Sequence, residues 1–487
     1  MPPHEPSLQS TRSVRSCGGF QAPVDPHNTA ARQSLRVGSN SLVLALLSPF
    51  LVLSQANVQK TLLAVVVLDI PLQIGTHLFY REQDAALGAL GGLGISITTI
   101  ALTGLYLSWF VTAIRSEKHT GRRKLHFNAA LTLYLAIAAI SALFAEDVAL
   151  SSFEFILFCE TYLVYLYIAN RVRMREQILF VVRLLLVGCV LEGALMLAAR
   201  FVDMQAIMGT LSLKFQIDSD AAREGILRVG GTVGSPNTAA GYLAMVMVLA
   251  VSVIFAHFRG LKWLAIGAVA LGGAALVYTY SRGGWLAFAT GTIALCLIAM
   301  RGRRRSIAAP VLTIVVLTLL SLPFYSVICE RLFGNDNGSA ESRVPLMKLA
   351  LRITEEHPVI GVGPNNFTVV MDRYLTAEFR HAFLYVVHNK FLLVLSETGL
   401  AGLMAYLAFL IGAMRRGWRT WKAQDRTLSP LALGLTTAIG GHMVQMSVEL
   451  FRGRPVQQLL WVCAALLVAM HRICNSTANE TALSNIT

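Results

Sequence analysis

Charge is scarce in this sequence. Only 14% of its 487 residues are charged, against 55% hydrophobic, and the mean hydropathy is +0.59. That balance excludes a soluble enzyme of this length and predicts an integral membrane protein. Acidic residues are the scarcer sign, 27 against 41 Lys and Arg, for a net charge of +14. The excess does not point to nucleic acid, because the basic residues fall in short clusters between apolar runs, as the positive-inside rule places them. Cysteine is thin too. The seven (Cys17, Cys159, Cys189, Cys296, Cys329, Cys463, Cys474) are scattered, mostly within apolar runs, with no C-x-x-C spacing, which argues against a disulfide framework and a zinc site. No period of 20 to 50 residues repeats, so a solenoid is excluded. No outer loop holds a D-x-D pair that would keep a metal on a nucleotide sugar. The glycines of GVGPNNF (361–367) lack the Walker lysine and a preceding strand, so this stretch reads as a turn. No cofactor and no metal are therefore expected. The first 36 residues contain no apolar stretch and are rich in Pro, Ser and Arg; they read as a disordered tail and not as a secretory signal peptide.

Apolar runs are what the chain does have. A helix needs about 20 such residues to cross the hydrocarbon core. On that measure, spans are predicted near 41–55, 61–79, 87–114, 126–145, 149–169, 178–199, 238–256, 261–280, 284–300, 307–327, 388–414, 429–449 and 456–471. Alternate connections carry the basic clusters RSEKHTGRRK (115–124), RVRMREQ (171–177), HFRGLK (257–262), RGRRR (301–305) and RRGWRTWKAQDR (415–426). These are expected in the cytoplasm, which puts AEDVALSS, 201–237, the SRGG turn at 281–284 and the long stretch 328–387 outside. Alternation holds from the third predicted span onward; carried further back, it would place the arginine-bearing tail outside. Residues 41–79 are therefore expected to hold one full crossing and one partial or interfacial element, for about twelve spans with both termini inside. The fold class is an all-α integral membrane protein: a cytoplasmic tail (1–38), one polytopic domain (39–472) with a large extracytoplasmic loop (328–387), and a C-terminal tail (473–487).

Several polar residues gather where the predicted spans meet the outer face. His388, in HNKFLLVLSETGLAGLM, sits where the long loop runs into a span. At 100° per residue, Gly399 and Gly402 fall within about 20° and 40° of its face, a small-residue seam on which a neighbouring helix would pack and fix the ring. Arg282, in TYSRGGWLAF, opens a span beside two glycines. Arg343 follows Ser342, a good N-cap, with Pro345 in the first turn of an amphipathic helix whose apolar face would be Val344, Met347 and Leu351, with Lys348 and Arg352 opposite. Arg228, in RVGGTVGSPNTAAGYLA, precedes a Ser-Pro-Asn helix start that includes Asn237. Taken singly, such arginines contact lipid headgroups or form structural ion pairs. Three together with a histidine suit a membrane-borne diphosphate, because a guanidinium fork grips phosphate oxygens and an imidazole serves as general base. Glu160 and Glu192 lie within spans and are functional candidates by default, or partners of Arg183 or a polar neighbour.

These blocks resemble, in order and content, the O-antigen ligase and polymerase superfamily of bacterial envelope enzymes. RVGGTVGSPNTAAGYLA is similar to its R-x-x-G-T-x-x-x-P-N block and YSRGGWLAF to its S-R-G helix start. SRVPLMKLALRITEEHPVIGVGPNNF resembles the stretch from an external arginine to H-P-x-x-G-x-G, and His388, Asn389, Gly399 and Gly402 match H-N, nine residues, then G-x-x-G. The resemblance covers roughly 225–405 and is shared by ligases, polymerases and protein O-glycosylating enzymes. It implies a GT-C-like transferase of the bacterial cytoplasmic (inner) membrane, active on the extracytoplasmic side. Its donor would be a polyprenyl-diphosphate-linked glycan, and its acceptor lipid A core or a growing glycan, with no metal. By motif, Arg282 and Arg343 would hold the diphosphate and His388 would deprotonate or orient the acceptor hydroxyl, with Arg228, Asn237 and Asn389 as further substrate-binding candidates. A transporter or flippase, and a scaffold subunit of an envelope assembly, remain the alternatives from other classes. The first lacks an evident inverted repeat, and the second leaves the outer arginines unexplained.

Overall fold

The computed structural model describes residues 55–116, 125–211, 213–218, 227–256, 258, 260–301, 325–326, 329, 343–376 and 384–484. Of the sequence expectations, the tail at 1–38, all but the last residue of the span at 41–55, most of the span at 307–327, most of the clusters at 115–124 and 301–305 and the cap at Ser342 lie outside the described residues.

The described chain is helical apart from two small hairpins. Helix α1 (Ala56–Leu72) leads into strand β1 (Gly75–Leu78), a short α2 (Glu82–Ala86), strand β2 (Leu93–Ser96) and α3 (Ile97–Ser116). Then come α4 (Ala129–Leu143), α5 (Val148–Arg171), α6 (Arg175–Ala198), α7 (Met204–Thr210), and strands β3 (Gln216–Asp218) and β4 (Arg228–Gly231). Helices α8 (Pro236–Phe255), α9 (Lys262–Tyr278), α10 (Arg282–Arg301), α11 (Arg343–Glu356) and α12 (Phe367–Val370) follow, and then α13 (Lys390–Lys422), α14 (Leu428–Met446) and α15 (Arg454–Ser484). Both hairpins are antiparallel pairs.

Among the described residues, seven helices are long and apolar enough to cross a membrane (α3, α5, α6, α8, α10, α13 and α15), and α4 and α9 are shorter apolar helices. Side-chain caps set where several begin: Asn128, Asp147 and Ser235 each accept a hydrogen bond from the backbone N–H three residues on. Helix α8 is the axis of the bundle. Its apolar stretch is 83% buried, against 33% for α3 and α10, and it packs on α9, α10 and α14. The helices at 33% turn most of their apolar surface outward, which in water would be untenable and in lipid is ordinary.

The predicted spans 61–79 and 87–114 need correction. Helix α1 stops at Leu72, where Gln73 takes a left-handed conformation, and α3 starts only at Ile97; between them the chain forms the β1–β2 hairpin. ALGGLG raises the hydropathy of this stretch, but each glycine costs a helix about 1 kcal/mol, which hydropathy does not register.

Contacts between connections separate the two ends of the bundle. At one end Arg175 pairs with Asp425 at 2.6 Å and Arg472 donates to Ala169 O at 2.6 Å, so the basic clusters at 171–177 and 415–426 lie together. Most of the second cluster is helical: Arg415 to Lys422 form the last turns of α13 instead of a loop. The other end gathers the hairpins, the 144–147 turn, α11 and the segments leading into α13 and α15.

That second end has its own small core: Leu346, Leu349, Ala350 and Ile353 of α11 close over Val362, Phe367, Met371, Val387 and Leu393. The amphipathic helix is there, but its buried face is not the expected one. Val344 and Leu351 are 52% and 46% exposed. Both stripes have helical spacing, and contact with the 362–371 segment selects the one that is buried.

Candidate active site

At the end away from the basic connections, a cavity of about 620 Å³ opens between the β1–β2 hairpin, the turn from β4 into α8, the segment before α13 and residues 449–455. Its wall includes His388, Tyr385, Asn237, Glu449, Arg452 and Arg454.

Two sequence-predicted residues meet on one carboxylate, and a third is bonded to one of them. Asn237, in the first turn of α8 after the Ser235 cap and Pro236, donates through Nδ2 to Glu449 Oε1 at 2.8 Å. Arg343, the first residue of α11, donates to the same oxygen at 3.2 Å and to Val448 O at 3.1 Å. Arg228 donates to Asn237 Oδ1 at 2.8 Å and to Thr279 O at 3.0 Å, and lies 3.6 Å from Asp218. Burial pushes the Glu449 carboxyl up to about 7, against the pull of Arg343 and Arg228; near neutral pH it is poised between its two forms.

His388 is held from the opposite side. Asn389 caps α13, accepting from Phe391 N and Leu392 N at 3.0 Å each, and its Nδ2 donates to Ser447 O at 2.9 Å. Lys390 N donates to Glu449 O at 3.0 Å. The two ends are thereby tied together and the imidazole is set against the cavity. Its ring centroid is 5.3 Å from that of Tyr385, and the buried Nδ1 has no hydrogen-bond partner among the described residues. Burial first, and then the Arg343 guanidinium, push the imidazole down to about 4, with the Val386 backbone working the other way. The ring is neutral at pH 7 and able to accept a proton.

Arg282 opens α10 at the same end. Its neighbour Gly283 packs so closely that a Cβ there would lie 3.2 Å from Val448 Cγ2 and 4.0 Å from Glu449 Cγ. Among the described residues, neither Arg282 nor Arg343 belongs to the cavity wall; Arg343 reaches it through Glu449. His388, Arg343, Arg228, Asn237 and Asn389 are therefore brought together, and Arg282 lies at the same end, next to the Gly283 that packs on Val448.

The expected Gly399 seam is a different device. Gly399 has φ 67° and ψ −175°, so α13 is interrupted there, and the 358–363 loop docks into the break. Leu400 N donates to Pro358 O at 2.8 Å, Val362 N to Ser396 O at 3.0 Å and Gly363 N to Glu397 O at 2.9 Å. These bonds satisfy groups that an interrupted helix leaves open within a membrane protein. GVGPNNF is a turn, as expected, but a buried one. Asn365 bridges Leu90 and Leu150, and Asn366 donates to Asp147 O and accepts from Asp147 N.

Sequence reasoning missed Glu449, Arg452 and Arg454. Arg452 hydrogen-bonds the Glu397 carboxylate and lies 3.3 Å from Glu154, which Lys390 approaches at 3.9 Å. Arg454 pairs with Asp69 at 3.0 Å. FRGRP (451–455) joins two predicted spans on the outer side, so the argument that singled out three outer arginines applies to these two as well. Glu192 accepts from Thr232 N at 2.8 Å and from Thr232 Oγ1, and so holds the turn after β4; Glu160 accepts from Thr99 Oγ1 at 3.2 Å and lines the cavity.

Residues 267–407 match the family model described as O-antigen ligase. The matched stretch contains Arg282, Arg343, His388, Asn389 and Gly399, while Arg228 and Asn237 precede it. No curated protein matches the chain. The matched region, which supplies both the start of the helix that His388 leads into and the loop docked into it, is thus similar to the O-antigen ligase family over somewhat less than a third of the chain.

Proposed function

We propose that this protein transfers an oligo- or polysaccharide from a polyprenyl-diphosphate donor to an acceptor hydroxyl, on lipid A core or on a growing glycan, at the outer face of the bacterial cytoplasmic membrane. The observation that carries this reading is the neutral His388 imidazole, its Nδ1 unpartnered among the described residues, on the wall of a cavity it shares with Glu449, the carboxylate that holds Arg343. In the reaction the acceptor oxygen bonds to the anomeric carbon while the bond from that carbon to the diphosphate oxygen breaks. The hydroxyl proton passes to His388 and the bonding electrons leave with the diphosphate. Negative charge grows on the leaving group, and fixed guanidinium groups stabilise it. Arg343 serves by exchanging its Glu449 partner for phosphate oxygen, with Arg282 at the same end. Bound diphosphate would also offset the Arg343 charge that depresses His388, so the base strengthens when the donor is present.

The basic end of the bundle faces the cytoplasm on this reading, which sets the cavity outside. Among the described residues no group of three or more His, Cys, Asp or Glu side chains is placed to hold a metal ion; the arginines are the electrophilic groups invoked. A ligase and a polymerase differ only in the acceptor. The test is incubation of the purified protein with a polyprenyl-diphosphate glycan and candidate acceptors, reading release of free polyprenyl diphosphate alongside glycosylated acceptor. Donor binding without release under any acceptor would favour a carrier over a transferase.

A further inference from the structure

We propose that the arm of the cavity bounded by His77, Lys214 and Arg454 binds an acidic sugar residue of the glycan substrate, one bearing a carboxylate or a phosphate. The inference rests on the glycan-transfer reading above and names the substrate class it takes. His77 on β1, Lys214 just before β3 and Arg454 at the start of α15 come from three separate elements and line the same cavity as His388. Arg454 is engaged at one end only: its Nη2 meets Asp69 at 3.0 Å, while its Nε is buried and has no partner among the described residues. Because Arg454 lines the cavity and its Nε is committed to no partner among the described residues, the guanidinium can turn toward an anion that fills the cavity.

The local field has the matching sign. Lys214 and Arg454 both push the His77 imidazole down, after burial, although the Asp69 carboxylate paired with Arg454 takes up part of that charge. Asp69 is already occupied by Thr98 Oγ1 at 2.6 Å and Ile74 N at 2.8 Å, besides Arg454. Glu160, the carboxylate on this part of the wall, accepts from Thr99 and Ser96. Gln73 and Gln216 supply amides along the same wall, the groups that pair with sugar hydroxyls. The Arg343–Glu449–Asn237 cluster is built from different residues, so the arm is a second anion subsite separate from the one proposed for the diphosphate.

The full-length protein in neutral-lipid nanodiscs would be titrated with tetragalacturonate and with the same tetrasaccharide after its carboxylates are reduced to alcohols. Glucose 6-phosphate against glucose, and farnesyl diphosphate, would be run in parallel. We expect at least one charged sugar to bind about tenfold or more tighter than its neutral counterpart, because one charge-assisted contact in a partly enclosed site is worth roughly that factor. Lys214→Gln, at an exposed position, should erase most of the difference and leave farnesyl diphosphate binding unchanged; Arg454→Gln should do the same if it keeps the wild-type melting temperature. Equal binding or no binding by the charged and neutral sugars overturns the proposal, as does a Lys214→Gln protein that still discriminates. Equal loss of sugar and farnesyl diphosphate in that variant would make the arm the diphosphate site and overturn it too. Unimpaired transfer by His388→Ala would defeat the catalytic reading while leaving this binding difference standing.

Discussion

Glu449→Gln separates the electrostatics of the site from its shape. Glutamine keeps an oxygen for Asn237 and Arg343, so the geometry of the cluster should survive. The wild-type carboxyl, raised to about 7 by burial, is ionised at pH 8.5 and protonated at pH 5.5. A diphosphate gripping Arg343 would sit about 6 Å from that carboxylate. At an effective dielectric of 20 to 40, two unit charges at that distance repel by about 1.4 to 2.8 kcal/mol, or about ten- to a hundredfold in affinity. Binding therefore raises the Glu449 pKa further and takes up a proton, and affinity should increase as pH falls through 7. The probe's own phosphates titrate in this range, but they do so identically for both proteins. The quantity to follow is the ratio of wild-type to Glu449→Gln dissociation constants for farnesyl diphosphate, by calorimetry at pH 5.5, 7.0 and 8.5. The ratio should be about ten or more at pH 8.5 and close to one at pH 5.5. A ratio that stays constant across the three values would refute the link between Glu449 and the anion site.

Three other outcomes are expected. His388→Ala should retain donor binding within a factor of about two and lose roughly 10² to 10⁴ in single-turnover transfer, whereas Arg343→Lys should weaken both, since an ammonium lacks the planar fork; transfer by His388→Ala at the wild-type rate would remove the base. Gly399→Ala should lower stability by at least about 3 kcal/mol, because its backbone lies where other residues are strained by about 1 to 3 kcal/mol and the new Cβ would overlap the Val359 carbonyl. Gly412→Ala in the same helix, whose Cβ meets only the far end of Arg416 at 3.3 Å, should match or exceed wild type, and thermal unfolding in detergent compares the two. EDTA should leave the wild-type transfer rate unchanged, and a rate restored only by added divalent cation would require a different mechanism.

Membrane class, most helices and one helix start were legible because they depend on short stretches of chain. Apolar runs mark α5, α6 and α8 within a few residues, and Ser235 caps the helix start read from Ser-Pro-Asn; α15 begins as expected but runs on to Ser484, so the stretch expected as a C-terminal tail from 473 is helical that far, since the apolar run that marks a span says nothing of how far a helix continues past it. Arg228 and Asn237, nine residues apart, are joined by a direct hydrogen bond, so their block in the sequence is also a block in space. The face that α11 buries depends on a segment further along the chain, and hydropathy cannot tell a glycine-rich hairpin from a helix at 73–96. The break at Gly399 is held by bonds to Pro358, about 40 residues away along a helix that periodicity alone extends unbroken. The convergence on Glu449 is more distant still: 106 residues separate it from Arg343 and 212 from Asn237. Residue type and local pattern told which side chains could bind an anion or accept a proton. Burial and long-range neighbours told what state they are in, since a carboxyl near 7 and an imidazole near 4 arise from desolvation and from charges that reach the site by other parts of the fold.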